Sequence, residues 1–303
     1  MNINTKTHSP EPIQPDWGHK GHGLVHEVAA ENLPEEVPDF FVAGKDRMVG
    51  LASQPDRWKD RSLNYLRGAT SIDHFMAYEQ VEGRELPPDR FDFLAMVSEQ
   101  GLEVPGLPAK YVGLLPYRVA ELYQNLTLDF ALWRNEGMSL PSDDPKRKAL
   151  EENALVTAGL LGHYVGDAAQ PLHATVHHDG WNVAAEANPH GYRTRRGLHR
   201  EFETHFANAV ADEQEVSRRL HPAKLLQGDP LAWGMGLMAE SNSQVEHLYE
   251  LEKEGQFRRW FPSEEGVSFL HDRVAVGAEN LRDLWYTAWH NSESLARRIR
   301  RPD

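Results

Sequence analysis

His163 and Asp167 stand four residues apart in Gly162-His163-Tyr164-Val165-Gly166-Asp167-Ala168-Ala169-Gln170-Pro171-Leu172-His173. On a helix that spacing puts an imidazole and a carboxylate on one face, one turn apart, where both can reach one cation. Pro171 ends the helix, and His173 then approaches the same region from the helix end. Glycines at 162 and 166 thin the helix and suit close backbone packing near a crowded site. His199 and Glu203 repeat the four-residue spacing in Gly197-Leu198-His199-Arg200-Glu201-Phe202-Glu203. Each pair alone reads as a solvated surface pair. Two pairs with a helix-end histidine instead resemble the way helical bundles build dinuclear metal sites from facing helices. Three further segments carry candidate ligands. His74, in Asp73-His74-Phe75, reads on its own as a buried core histidine. Asp56, in Gln54-Pro55-Asp56-Arg57-Trp58-Lys59, would alone be a turn residue or a helix cap. Trp17-Gly18-His19-Lys20-Gly21-His22 supplies another histidine.

The composition limits which metal chemistry is open. The 303 residues include sixteen histidines and no cysteine. Disulfides and thiolate sites are therefore excluded, and any zinc must be held by nitrogen and oxygen. The formal net charge of −14 argues against a broad basic surface that tracks nucleic acid. A phosphate substrate would have to be attracted by local metal charge. Hydrophobic residues at 40% and charged residues at 26% fit an ordinary globular chain. No run approaches the roughly 20 apolar residues needed to cross a bilayer. Residues 1–16 are polar, hold three prolines and lack the apolar core of a signal peptide. The compartment stays open on this reading.

Hydrophobic periodicity supplies the elements that must position these groups. A helix is expected after Trp17-Gly18, with Val25, Val28, Ala29 and Leu33 at helical spacing and Pro34 as its stop. A second is expected over 110–134, kinked near its start by Pro116. Others are expected over 145–169, 198–210, 232–254 and 264–298. Residues 175–196 read as a loop, broken by Gly180, Asn188-Pro189 and Gly191. Within it, His177-His178-Asp179 is expected to face solvent. His26 reads as a packed helix residue, and Trp285 and Trp289 read as core. Strand-like alternation is scarce. The expected fold is all-α: a single-domain multi-helix bundle with long loops between the helices. Residues 1–16 are expected to form a flexible N-terminal extension and 17–303 the domain.

These elements, in this order, resemble the trinuclear zinc phosphoesterases. That family contains the P-one/S-one type single-strand nucleases of fungi and plants and the zinc-dependent phospholipases C of bacteria. Trp17 to His22 is similar to its opening Trp-Gly-x-x-Gly-His. Asp56 to Lys59 is similar to its Asp-x-x-Arg, with Lys in place of Arg. His74-Phe75 is similar to its His-Phe, and His163 to His173 to its His-x-x-x-Asp-x-x-Gln-Pro-x-His. His199 and Glu203 are similar to its closing His-x-x-x-Asp/Glu.

The resemblance implies three zincs. Asp56, His74 and His163 would hold the first, with Asp167 bridging to another. His173, His199 and Glu203 would hold the second. Trp17, His22 and Asp167 would hold the third. Such a cluster generates hydroxide near neutral pH, neutralises phosphate oxygens and stabilises the leaving alkoxide. Asp56 would also orient the attacking water, and Lys59 would stabilise transition-state charge. In the exported relatives the tryptophan is the mature N-terminus and binds zinc through its amine. With sixteen residues ahead of Trp17, a weaker third site is expected in the uncleaved chain. Phe75 would stack a base, but Ala77 stands where nucleases have the Asp that binds the base edge. Asn182 occupies the place of an asparagine in the nuclease Gly-Gly-Asn segment, and Trp181 replaces a glycine there and would wall the pocket. The implied partner is a phosphate-ester substrate: single-stranded nucleic acid or a nucleotide first, with a phospholipid head group as the alternative. No stable protein partner is implied. A reading from another class is a non-catalytic zinc-binding protein.

Overall fold

The computed structural model describes residues 18–299. Fourteen α-helices appear in chain order: α1 His19–Glu31, α2 Asp39–Ala43, α3 Lys45–Leu51, α4 Gln54–Arg57, α5 Asn64–Thr70, α6 Arg90–Glu99, α7 Leu115–Leu132 and α8 Pro145–Ala168; then α9 Leu198–Arg200, α10 Ala207–Val210, α11 Glu213–Ser217, α12 Pro230–Asn242, α13 Val245–Glu254 and α14 Glu264–Ile299. Short 3₁₀ turns at Ser71–His74 and Pro171–His173 carry two of the candidate histidines. Among the described residues no strand forms. The fold is an all-α bundle, and none of its helices is long and apolar enough to cross a membrane.

The longest helices form the frame. α14 packs on α7, α1 and α8, and α7 packs on α8 and α12. Along α14, Phe269, Leu270, Val274, Ala278, Leu281, Trp285 and Ala288 are buried, which is the stripe a core-facing helix requires. Trp285 lies at the bottom of this core and donates from Nε1 to Ala158 O at 3.3 Å. Trp289 packs edge-on to Phe130 with the Arg134 guanidinium over its face.

Local chemistry sets the helix ends. Asp144 caps α8 by accepting from Lys146 N and Arg147 N, and Pro145 occupies the first turn, where its missing N–H costs nothing. Gln170 turns the chain at the other end, its side chain accepting from Leu172 N. Two expected helices are corrected. The expected 110–134 helix begins only at Leu115. Pro116 starts it rather than kinking it, because its fixed φ suits a first turn, and Lys110 belongs to a separate 3₁₀ turn, Ala109–Val112. The expected 232–254 helix is two, parted at Ser243-Gln244. The stretch 198–210 is helical throughout, but Glu201–Phe206 within it winds as a wider π-turn.

Candidate metal centre

α8 packs on α1 through two of its glycines, which face the His22 and His26 rings. A Cβ at Gly166 would stand 2.8 Å from His22 Nδ1, and one at Gly162 would collide with the His26 ring. The two glycines therefore let α1 lie close enough for His22 to meet Asp167. Beneath His22, His26 is fully buried, its ring nitrogens facing His22 O at 2.7 Å and Gly159 O at 2.8 Å.

Three groups of side chains converge here. His22, His163 and Asp167 form one, Asp56, His74 and His163 a second, and His173, His199 and Glu203 a third; within each group the ligand atoms lie within 4.8 Å of one another. Asp167 joins the first two groups. Its Oδ1 is 3.3 Å from His22 Nε2, and its Oδ2 is 3.0 Å from His74 Nδ1 and 3.3 Å from His163 Nε2. Asp56 Oδ1 is 3.3 Å from His163 Nε2. In the third group, Glu203 Oε1 is 3.5 Å from His173 Nε2, and Oε2 contacts His199 Nε2. Two ligand atoms bound tetrahedrally to one zinc at 2.0–2.1 Å stand about 3.3–3.4 Å apart. The observed separations fall around that value.

Hydrogen bonds fix the ring tautomers. His163 Nδ1 donates to Ala52 O at 2.8 Å, His173 Nδ1 to His74 O at 2.5 Å and His199 Nδ1 to His178 O at 2.8 Å. A neutral ring that donates from Nδ1 presents a bare lone pair at Nε2. His173 Nε2 and His199 Nε2 then face each other at 3.1 Å. Two lone pairs at that distance repel unless a cation sits between them. In addition His22 Nε2 and Asp167 Oδ1 are buried with each other at 3.3 Å, and Glu203 Oε1 is buried with His173 Nε2 at 3.5 Å, contacts too loose to satisfy them as hydrogen bonds. Buried polar atoms left in that state are costly, and a divalent cation would satisfy all three. The donor set fits zinc.

Electrostatics agree. Burial opposes charge on His163, but Asp167 and Asp56 outweigh it and push its pKa up to about 10. Burial pushes Glu203 up to about 8. Burial, reinforced by the Lys59 ammonium, pushes His74 down to about 3. Burial also opposes ionisation of Asp167, yet His163 and His173 hold its carboxyl well below the usual range. Without a metal, the cluster thus holds protons where a metal would bind. Lys59 is buried beside it, Nζ 3.0 Å from Asp56 Oδ1, with burial drawing its pKa down to about 8 against the pull of Asp167 and Glu203.

The structure thus gathers Asp56, Lys59, His22, His74, His163, Asp167, His173, His199 and Glu203 in one place. Trp17 lies outside the described residues. The residues expected to bind substrate fare differently. Phe75 is half-buried against the hydrophobic core, its ring nearly parallel to Tyr111 at 6.4 Å between centroids. Trp181 is only 4% exposed, stacked on His177 at 3.8 Å and packed against Tyr192 and Tyr249. The Asn182 side-chain oxygen accepts from Ala184 N within its own loop.

The expectation of a solvent-facing His177-His178-Asp179 is overturned. His177 is buried against Trp181, and its Nδ1 accepts from Asn182 N. The His178 carbonyl orients His199, and Asp179 Oδ1 accepts from Gly197 N at 2.7 Å and His199 N at 3.1 Å. Sequence spacing carried no signal for these roles, because all three act through or upon backbone groups. Gln170 was also missed as a neighbour of the site; its Nε2 lies 3.4 Å from Glu203 Oε2.

No family model matches the chain, and no curated protein matches it by sequence. Among solved structures it is similar to the alpha toxin from Clostridium absonum, at 12% identity and a TM-score of 0.44, over 93% of this chain and 65% of that one. It is also similar to the Clostridium perfringens alpha-toxin isolated from an avian strain, at 10% identity and a TM-score of 0.35, over 95% of this chain and 66% of that one. The chain spans about two thirds of the length of both. Likeness at this level adds nothing to the site, which stands on its own geometry.

Proposed function

We propose that this chain is a zinc-dependent phosphoester hydrolase. The observation that carries the reading is the convergence of His173 Nε2, His199 Nε2 and the Glu203 carboxylate at one point, next to two groups joined through Asp167. On this reading Asp56, His74 and His163 hold the first zinc and His173, His199 and Glu203 the second. His22 and Asp167 hold the third, with Trp17 as a further ligand. When bound, the zincs supply Lewis acidity toward phosphate oxygens and lower the pKa of a water ligand.

The chain's own residues do the rest. Backbone carbonyls of Ala52, His74 and His178 hold three imidazoles in the orientation that points Nε2 inward. Asp56, the least buried ligand, is placed to orient an attacking water through its free carboxylate capacity. Lys59 brings a cation to the phosphate side of the cluster, where charge builds as the ester is cleaved. Removing it would lower kcat more than it raises KM.

Two substrate classes compete. A nucleotide is supported by the half-buried Phe75 next to His74, with its ring nearly parallel to Tyr111. Against it, Trp181 and Asn182 are engaged in packing and in a local turn. A phospholipid head group is supported by the exposed apolar side chains of Leu63, Tyr65 and Leu66 in the chain between Asp56 and His74. The test is hydrolysis of bis(4-nitrophenyl) phosphate by the purified chain, with zinc content measured alongside. Chelator-sensitive turnover restored by zinc supports the reading. Tight zinc binding with no hydrolysis of any phosphoester would leave a non-catalytic zinc protein instead. Release of 5′-nucleotides from single strands, or of a phosphorylated head group from lipid, then separates the substrate classes.

A further inference from the structure

None of the ligands in the His173, His199 and Glu203 group lies on α13, yet α13 reaches that group through a relay of hydrogen bonds. Tyr249, midway along α13, is fully buried. Its hydroxyl donates to His177 O at 2.5 Å and accepts from Gly180 N at 3.0 Å. One oxygen thus ties together both ends of the stretch 177–180. The two residues between those ends are the ones that orient His199. The His178 carbonyl accepts from His199 Nδ1, and Asp179 Oδ1 accepts from Gly197 N and His199 N. Gly180 has a φ of +115°, and a Cβ there would stand 2.7 Å from Thr194 O. Only glycine can therefore bring its amide to Tyr249 along this path.

The same face of α13 also braces the returning part of the loop. Glu252 follows Tyr249 at the spacing that puts two side chains side by side on a helix, and it accepts from Arg193 Nη1 at 3.2 Å. Arg193 donates from Nε to Arg195 O at 2.9 Å and from Nη2 to Arg196 O at 3.1 Å, the residues just before Gly197. Trp181 N donates to Arg193 O at 2.8 Å and joins the outgoing chain to the returning one. Both segments that meet at the start of α9 are thus referred to one helix. An imidazole binds metal only along its ring lone pair, so the direction of the ring decides whether His199 is a ligand.

We propose that Tyr249 is a positioning residue for the metal held by His173, His199 and Glu203: its hydroxyl sets where the His178 carbonyl and the Asp179 carboxylate stand, and through them where His199 Nε2 points. This rests on the reading of that group as a zinc site. Tyr249 acts through the stretch 177–180 and not on the metal itself. Loss of a group that orients a metal-bound imidazole typically costs 10–100-fold in metal affinity. Tyr249 orients two such groups at once from one step further away, so a loss at the lower end, about tenfold, is expected.

The experiment is zinc titration of the full metal-free chain against a competing chelator, which reads the affinity of each zinc in turn. Tyr249→Phe keeps the ring packed among His177, Trp181 and Tyr192 and removes the hydroxyl alone. It is expected to weaken one zinc about tenfold and leave the others unchanged. Tyr117→Phe is the control. That hydroxyl also donates to a backbone carbonyl, Pro87 O at 2.7 Å, outside the segments that carry the ligands, and its loss should leave every zinc as it was. His199→Ala identifies the zinc concerned. Added to His199→Ala, Tyr249→Phe should cause no further loss, because its effect passes through that ring. Cooperative unfolding of the metal-free variant verifies that it folds. Should it not fold, Glu252→Gln, at the partly exposed end of the brace, should weaken the same zinc by a smaller factor. Unchanged zinc affinity in Tyr249→Phe, or in Glu252→Gln where the first does not fold, would overturn the proposal. So would equal weakening of all zincs, equal weakening in Tyr117→Phe, or an undiminished further loss in the His199→Ala background. A wild-type chain that takes up no zinc would sink the zinc reading itself, and the proposal with it.

Discussion

At Gly162 the absence of a side chain is a requirement, not a weakness. Gly→Ala in an exposed helix interior normally stabilises by about 1 kcal/mol. Here the added carbon meets the His26 ring, which is fully buried and held between two carbonyls. Gly162→Ala is therefore expected to destabilise by about 1–3 kcal/mol in urea unfolding, the usual cost of overpacking. A stability gain would show that α1 and α8 are less closely apposed than the structure has them. The ligands also predict a proton balance. In the metal-free chain at pH 7, His163 with a pKa near 10 and Glu203 near 8 both hold protons. Zinc must displace them, so uptake releases protons and affinity falls as the pH is lowered. Titration calorimetry in buffers of different ionisation enthalpy reads this directly; equal heats in all buffers would contradict it.

The elements do what single residues cannot. His163 and Asp167 share one face of α8, but α8 alone supplies no complete group. The turns Ser71–His74 and Pro171–His173 are locked to each other by Met76 N donating to His173 O at 2.9 Å and by His173 Nδ1 donating to His74 O. The helix that carries His199 is held at its start by Asp179, which accepts two backbone N–H groups there. Asp179→Ala should cost about 1 kcal/mol, as loss of a capping acceptor does. It should also weaken zinc at the His173, His199 and Glu203 group while leaving the groups joined by Asp167 loaded. Zinc stoichiometry by elemental analysis separates these; full occupancy would mean that the His178 carbonyl alone suffices to orient His199. The π-turn at Glu201–Phe206 belongs to this scale too. The His199–Glu203 pair was read as one plain α-helical turn, but periodicity of apolar residues carries no mark of a local widening.

For the whole molecule, the centre is assembled from α1, α4, α8, α9, two 3₁₀ turns and a π-turn, spread from His22 to Glu203. Such a site exists only in the folded chain, so on the proposed reading bound zinc would stabilise the fold. With free zinc a hundredfold above Kd, each independent site contributes about 2.7 kcal/mol. Chelation is therefore expected to lower the thermal midpoint by several degrees and zinc to restore it; an unchanged midpoint would mean that the side chains do not bind metal in solution. Much of this was legible from residue order. The absence of cysteine with sixteen histidines decided the donor type, and helical spacing fixed which ligands share a face. Proline and glycine marked the end of α8 and the loop over 175–196, since both act through the local backbone. What residue order could not decide depends on groups distant in the chain. The resemblance makes Trp181 a pocket wall because it stands in place of a glycine in the nuclease Gly-Gly-Asn segment, and only the fold shows His177, Tyr192 and Tyr249 closing around it. His177-His178-Asp179 reads as solvent-facing because it lies in a loop, and only the fold shows what packs on it. Spacing along a chain reports which side chains share a face; which carbonyl they meet across the molecule, and which apolar residues stay uncovered, is set by packing.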